Sequence, residues 1–253
     1  MNENANLLEV SQLSKNYGEK GVVQGINFTV AKGEILGFLG PNGAGKSTTI
    51  KMITGIEDMD QGVIVFDGNN VTKTKRNLKK QLGVVPQDIA VYEDLTAYDN
   101  VSFFCSLYGY AGNERKRRTK EALEFVGLWE RRKEYPSKFS GGMKRRLNIA
   151  CSIAHSPQLL IMDEPTVGID PQSRNHIMET IKELNQRGTT VIYVSHYMEE
   201  IEELCNRIII MDHGVILKDQ DKQSMKAEYE TQGLYSLEEI FLQLTGTQLR
   251  DEE

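Results

Sequence analysis

Apolar and polar positions alternate along Leu7 to Lys15 and again along Gly21 to Val30, with the polar stretch Asn16-Tyr17-Gly18-Glu19-Lys20 between them. That period of two predicts an antiparallel hairpin with Tyr17 in its turn. Ile35-Leu36-Gly37-Phe38-Leu39 is then apolar throughout, the pattern of a strand covered on both faces. Short strands are predicted at Gly62 to Gly68, Leu82 to Val85, Leu159 to Met162, Thr189 to Val194 and Arg207 to Asp212, with a return at Val215 to Lys218. From Asp94 to Ala154 the period becomes helical. Thr96 caps a helix with Val101, Phe104 and Leu107 on its apolar face, Ala122, Phe125 and Val126 mark a second, and Ser140 caps a third carrying Met143, Leu147, Cys151 and Ala154. Further helices are predicted over Asn175 to Gln186, Met198 to Leu204 and Leu237 to Leu244.

The length of 253 residues allows either one large α/β core with an inserted lobe or two small domains. A net charge of −6 argues against a general nucleic-acid binder, which needs positive surface, and the run Arg115-Lys116-Arg117-Arg118 reads as a solvated helix face. Cys105, Cys151 and Cys205 are odd in number and widely spaced, the usage of reduced thiols rather than disulfides or a metal site. No apolar run approaches the roughly 20 residues that span a bilayer. Met1-Asn2-Glu3-Asn4 lacks the layout of a secretion signal, so a cytoplasmic location is expected.

The densest chemistry lies at Gly40-Pro41-Asn42-Gly43-Ala44-Gly45-Lys46-Ser47-Thr48, between the apolar strand and a helix expected from Thr49 to Gly55. Glycines let a backbone curl until successive N–H groups point inward at a phosphate, and the helix adds its own unpaired amides and positive dipole end. Lys46 is placed to reach β- and γ-phosphates and the Ser47 hydroxyl to meet a magnesium ion, which makes this a nucleoside triphosphate site. Other positions stay open on their own merits. Tyr17 is either a surface residue or a platform for an adenine ring. Gln87 is either a loop amide or a magnesium ligand, and Asp163-Glu164 are either surface acids at a strand end or a metal carboxylate beside a general base. His196 is either structural or a γ-phosphate contact. At Ser140-Gly141-Gly142 a capped helix start needs no paired glycines, so close approach of an anion is the competing explanation.

Together these residues resemble the ATP-binding subunit of an ABC transporter over nearly the whole chain, and Ser140-Gly141-Gly142 is the most specific element of the likeness. The resemblance implies a P-loop NTPase (RecA-like) α/β core with an N-terminal antiparallel β subdomain and an inserted α-helical signature subdomain. Its expected limits are 1–88 with 156–218 for the core, 89–155 for the insert and 219–253 for a short extension. It implies that Gly40 to Thr48 is the Walker A loop, Tyr17 the adenine-stacking residue, Gln87 the Q-loop residue, Asp163 the Walker B magnesium carboxylate, Glu164 the catalytic base, Asp170 the D-loop acid and His196 the switch histidine. ATP and Mg2+ are the implied cofactors. Two cassettes are implied to face each other head to tail, each lending Ser140-Gly141-Gly142 to the γ-phosphate held by Lys46 of the other. Both halves of such a site are present, which favours a homodimer.

Where many members carry leucine before the signature serine and glutamine after its glycines, this sequence has Phe139 and Met143. The run Met143-Lys144-Arg145-Arg146-Leu147 resembles the exporter branch that includes drug-resistance, antibiotic self-protection and sodium-extrusion ATPases. The expected partner is then a separate transmembrane permease docking beside Gln87 and Ile89 to Leu95, with no nucleic acid. The alternatives are a soluble single-cassette ABC ATPase with a non-transport role, or an import ATPase. Chromosome-type members do not fit, because the interval between Walker A and signature is under about 100 residues and carries no sustained heptads.

Overall fold

The computed structural model describes residues 5–72 and 76–246, so the reading of Met1-Asn2-Glu3-Asn4 lies outside the described residues. The elements run β1 (Asn6–Tyr17), β2 (Lys20–Ala31), β3 (Ile35–Leu39), α1 (Lys46–Thr54), β4 (Gln61–Phe66), β5 (Asn69–Asn70), α2 (Arg76–Gln81) and β6 (Leu82–Val85). Then come α3 (Ala97–Leu107), α4 (Gly112–Phe125), α5 (Gly141–Ile153), β7 (Leu159–Asp163), α6 (Pro171–Gln186) and β8 (Thr190–Val194). The chain closes with α7 (Met198–Leu204), β9 (Arg207–Asp212), β10 (Val215–Asp221), α8 (Lys222–Glu230) and α9 (Leu237–Thr245). Two compact units result, Met1–Lys79 with Thr190–Glu253, and Lys80–Thr189.

In the first unit β1 and β2 form the expected hairpin, and β4 and β5 extend it in the order β2-β1-β4-β5, all antiparallel. Alternation along β1 buries Leu8 and Val10, and an irregularity in the pairing between Val10 and Leu13 brings Leu13 into the same core. Tyr17 is not in the turn: it ends β1 opposite Lys20, because Gly18 at φ +62° lets two residues close the hairpin. All five residues of β3 are buried, flanked by β8 and β9, both parallel to it, and β10 returns antiparallel to β9. The C-terminal segment holds a helix the hydrophobic pattern did not reveal. β10 runs on to Asp221, whose carboxylate accepts from the N–H groups of Gln223 and Ser224 to start α8, and Met225 and Tyr229 are buried.

In the second unit β6 and β7 are parallel, Leu82 opposite Leu159, and α5 lies along β6 with the Ser152 hydroxyl donating to Val84 O at 2.7 Å. Thr96 caps α3 as expected, but the buried face is Ala97, Val101 and Cys105, while Leu107 is 64% exposed. In the basic run on α4, Lys116 and Arg117 are exposed, with Arg117 bridging Glu114 and Glu121 of its own helix, while Arg115 and Arg118 are half-buried and Arg118 also donates to the Ser156 hydroxyl at 2.9 Å. α6 starts four residues before Asn175, since Asp170 caps it and Pro171, which lacks the N–H a first turn leaves unused, opens it. The three cysteines are free and buried, and burial pushes the thiols of Cys151 and Cys205 up. Among the described residues no helix is long and apolar enough to cross a membrane.

Contact between α5 and the β6–β7 pair is tight enough to test. A Cβ at Gly83 would stand 2.5 Å from Ser152 O and 2.9 Å from Leu160 Cδ1, so Gly83→Ala should cost roughly 1–3 kcal/mol. The check is a fall in the urea midpoint at unchanged slope.

Candidate active site

β3 ends at Leu39, and the chain turns through Gly40 to Gly45 before α1 begins at Lys46, three residues earlier than the pattern suggests. Packing forces two of the glycines. A Cβ on Gly40 would overlap the carbonyl oxygen of Met211, and one on Gly45, at φ +100°, would lie 2.6 Å from Val22 O. The Ala44 carbonyl accepts from Gly214 N–H at 3.1 Å, so the loop is held between β2 and the end of β9. No side chain caps α1 and no acid stands in its first turn, which leaves the positive end of the helix to a ligand. Lys46 is buried and donates from Nζ to Gly40 O at 2.7 Å and Pro41 O at 3.0 Å, while Ser47 is exposed at the same helix end.

Two further candidates belong to this unit. The Tyr17 hydroxyl donates to Glu57, which raises its pKa above the usual phenol value, and a contact with the Thr48 side chain works the other way. That places Tyr17 beside the phosphate loop, half exposed, with Lys15 5.7 Å from its ring centre. His196 is exposed just past β8. Its neighbours are fixed from below: the Ser195 hydroxyl donates to Glu200 at 3.1 Å and accepts from Tyr197 N–H at 3.0 Å, and Tyr193 donates to the same carboxylate oxygen at 2.8 Å.

The second unit holds the acids and the signature. Asp163 ends β7, and Glu164 follows with φ +47°, a left-handed conformation that costs a residue with a side chain about 1–2 kcal/mol. Gln87 lies past the end of β6, and its Nε2 donates to Glu164 Oε2 at 3.2 Å. Ser140 caps α5, its hydroxyl oxygen accepting from Met143 N–H at 3.3 Å. Asp170 accepts from Ser173 N–H at 2.9 Å, and that bond first, with the Ser173 hydroxyl, holds its carboxyl below the usual range.

These findings agree with what the chain is similar to. The ABC transporter family matches residues 23–167. The linearmycin resistance ATP-binding protein LnrL of Bacillus subtilis is 54% identical over 211 residues, covering 83% of this chain and 68% of that protein. The chain belongs to the ABC transporter family. The Nod factor export ATP-binding protein I of Paraburkholderia xenovorans is 41% identical over 207 residues, covering 82% of this chain and 68% of its own length. A dimeric ATP-binding cassette in a post-hydrolysis state, bound to ADP and Pi, superposes with a TM-score of 0.76 at 25% identity, over 85% of this chain and 98% of that one. As an ABC ATP-binding subunit, this chain is an ATPase on the P-loop fold, and cassettes of its family dimerise and work with membrane subunits.

One of the paired signature glycines of this ABC cassette also has a packing reason within the chain. At Gly142 the close neighbour is Ser173 of the same chain: a Cβ there would fall on the Ser173 hydroxyl and 2.5 Å from its Cβ. Among the described residues a Cβ on Gly141 would meet Ile169 Cδ1 alone, at 3.9 Å, an ordinary contact. Ser173, Glu200 and Arg145 escaped the sequence reading. A helix predicted from Asn175 leaves Ser173 outside it, although Asp170-Pro171 is a legible cap signal for the observed start. Glu200 looks interchangeable with the other acids of α7, and Arg145 is one of three consecutive cations that nothing in the sequence tells apart.

If Gly142 is dictated by Ser173, Gly142→Ala should lower thermal stability by the equivalent of roughly 1–3 kcal/mol, and Ser173→Gly in the same chain should restore most of it. Calorimetry of the two variants checks this; a Gly142→Ala protein as stable as the wild type would mean that packing does not require the glycine.

Proposed function

We propose that two copies of this chain associate head to tail around Mg-ATP, hydrolyse it, and drive the export of a small molecule through a separate membrane-spanning partner, on whose cytoplasmic side the chain sits. The observation that carries the hydrolysis is Glu164, held in a strained conformation at the end of β7 with Gln87 3.2 Å from its carboxylate. A backbone outlier at an acid next to a parallel strand end supports its reading as a fixed general base. Export rests on the relatives, one named for linearmycin resistance and one for export of Nod factor.

Each residue then has a task. The glycine-clamped loop Gly40 to Gly45 and the amides of Lys46, Ser47 and Thr48 bind the phosphates, and Lys46 exchanges its two carbonyl partners for phosphate oxygens. Asn42 and Pro41 shape the loop, and the Tyr17 ring, steadied by Glu57, stacks on adenine. The Ser47 hydroxyl, the Asp163 carboxylate and the Gln87 amide oxygen are hard oxygen donors suited to magnesium, which neutralises phosphate charge when bound. Glu164 takes a proton from the attacking water on its carboxylate, and His196 donates to a γ-phosphate oxygen. Ser140 and Gly141 offer the α5 N-terminus to the γ-phosphate of the partner copy, while Gly142 and Asp170 hold that helix end and the loop after β7 in place.

The membrane partner has a landing site in the second unit. Tyr92, Phe103 and Leu107 are exposed, with the rings of Tyr92 and Phe103 packed edge to face at 5.3 Å. Buried Asn100 pins the loop that carries Tyr92: it accepts from Tyr92 N–H at 2.8 Å and donates to the carbonyls of Tyr92, Leu95 and Thr96 at 2.9–3.1 Å. A cytoplasmic helix of the permease would cover this ledge.

Two variants test the assignment. Glu164→Gln should bind ATP with affinity close to wild type yet lose roughly 10²–10⁴-fold in kcat and accumulate as an ATP-bound dimer, seen by light scattering; wild-type turnover would remove it as the base. Lys46→Ala should weaken ATP binding at least about tenfold, the ~1.5–3 kcal/mol of bonds from a charged donor; a titration calorimetry curve that overlays the wild type would contradict its role.

A further inference from the structure

The signature helix α5 carries three consecutive cations, and they do different things. Lys144 pairs with Glu93, and Arg146 donates to Val126 O at 2.9 Å. Arg145 is only 3% exposed, and its two terminal nitrogens donate to consecutive carbonyls, Nη1 to Pro86 O at 2.7 Å and Nη2 to Gln87 O at 2.5 Å. In an extended strand successive carbonyls point to opposite sides, so both can reach one planar guanidinium only where the chain has turned out of β6. The fork therefore fixes the two peptide planes that set the direction of the Gln87 side chain. That side chain is exposed and ends 3.2 Å from Glu164, so its aim depends on its backbone.

We infer that Arg145 is a positioning residue for ATP hydrolysis, which holds the Gln87 amide against the Glu164 carboxylate by tying the backbone at Pro86 and Gln87 to the signature helix. The same rigid helix starts at Ser140, so a ligand settling on its N-terminus restrains Gln87 through one intervening side chain. This rests on the roles proposed above for Gln87 and Glu164. A buried guanidinium is costly to desolvate, and a purely structural contact between helix and loop has no need of one, whereas two fixed donors specify an orientation that apolar packing does not.

The test is a double-mutant cycle in the purified full chain, measuring kcat, the KM for ATP and ATP affinity for Arg145→Lys with and without Gln87→Ala. Lysine keeps the charge but offers a point donor in place of the fork. In the otherwise wild-type chain kcat should fall at least about fivefold with KM and affinity within about twofold; in the Gln87→Ala chain, where no amide is left to aim, the same change should alter kcat less than about twofold. An equal loss in both backgrounds, or no loss in the first, overturns the inference. If Arg145→Lys abolishes ATP binding, Arg145→Gln is measured in the same cycle; loss of binding there too makes the residue structural and overturns it as well. Gln87→Ala with wild-type kcat would instead overturn the underlying role of Gln87, an outcome distinct from failure of Arg145 alone.

Discussion

The packing of the phosphate loop against its own unit governs what this chain can do. Gly40 lies under the Met211 carbonyl, Gly45 against the Val22 carbonyl, and Ala44 is tied to Gly214. A loop with two glycines free to roam would lose much of the binding energy of a phosphate to ordering. Here the conformational entropy is spent in folding, so the amides face the ligand before it arrives. The strand beneath supplies the rest: β3, buried along its whole length between two parallel neighbours, fixes where the loop begins.

The second unit repeats the principle with different chemistry. Asp170 caps α6, Ser173 fills the space at Gly142, and Arg145 grips the chain after β6, so the end of α5, the loop after β7 and Gln87 are each held by contacts with the others' elements. Glu164 adopts its left-handed backbone within that framework. In the first unit the buried Glu200 carboxylate, satisfied by Tyr193 and Ser195, performs the same service for the turn at His196. Most of the side chains assigned to nucleotide are exposed or half-buried, while two of their supports, Arg145 and Glu200, are buried.

That division explains what could be read from the sequence. Glycine, lysine and serine at fixed spacing, and acids closing an apolar run, announce phosphate chemistry because few other demands produce those combinations. β3, β6, β7 and β8 were equally plain, since continuous short apolar runs fit parallel strands. The supports were not legible. Arg145 is one of three cations in a row, Glu200 one of four acids in α7, and only tertiary contacts separate each from its neighbours. Leu107 misled for the opposite reason: helical periodicity places it on the apolar face of α3, yet it is exposed, at the ledge where we place the membrane partner. α8 stayed hidden because Lys222 to Glu230 is mostly polar and its signal, Asp221 as a cap, closes a strand.

The central claim is that the loop at Gly40 to Thr48 and the helix start at Ser140 bind one triphosphate from two copies of the chain. Hydrogen–deuterium exchange of the full chain with Mg-ATP, at protein concentrations below and above association, tests it most directly. Protection of residues 40–48 at both concentrations, joined by protection of residues 140–143 only at the higher one, is the predicted result. Protection of residues 40–48 with exchange at 140–143 unchanged even in the concentrated sample would contradict the account.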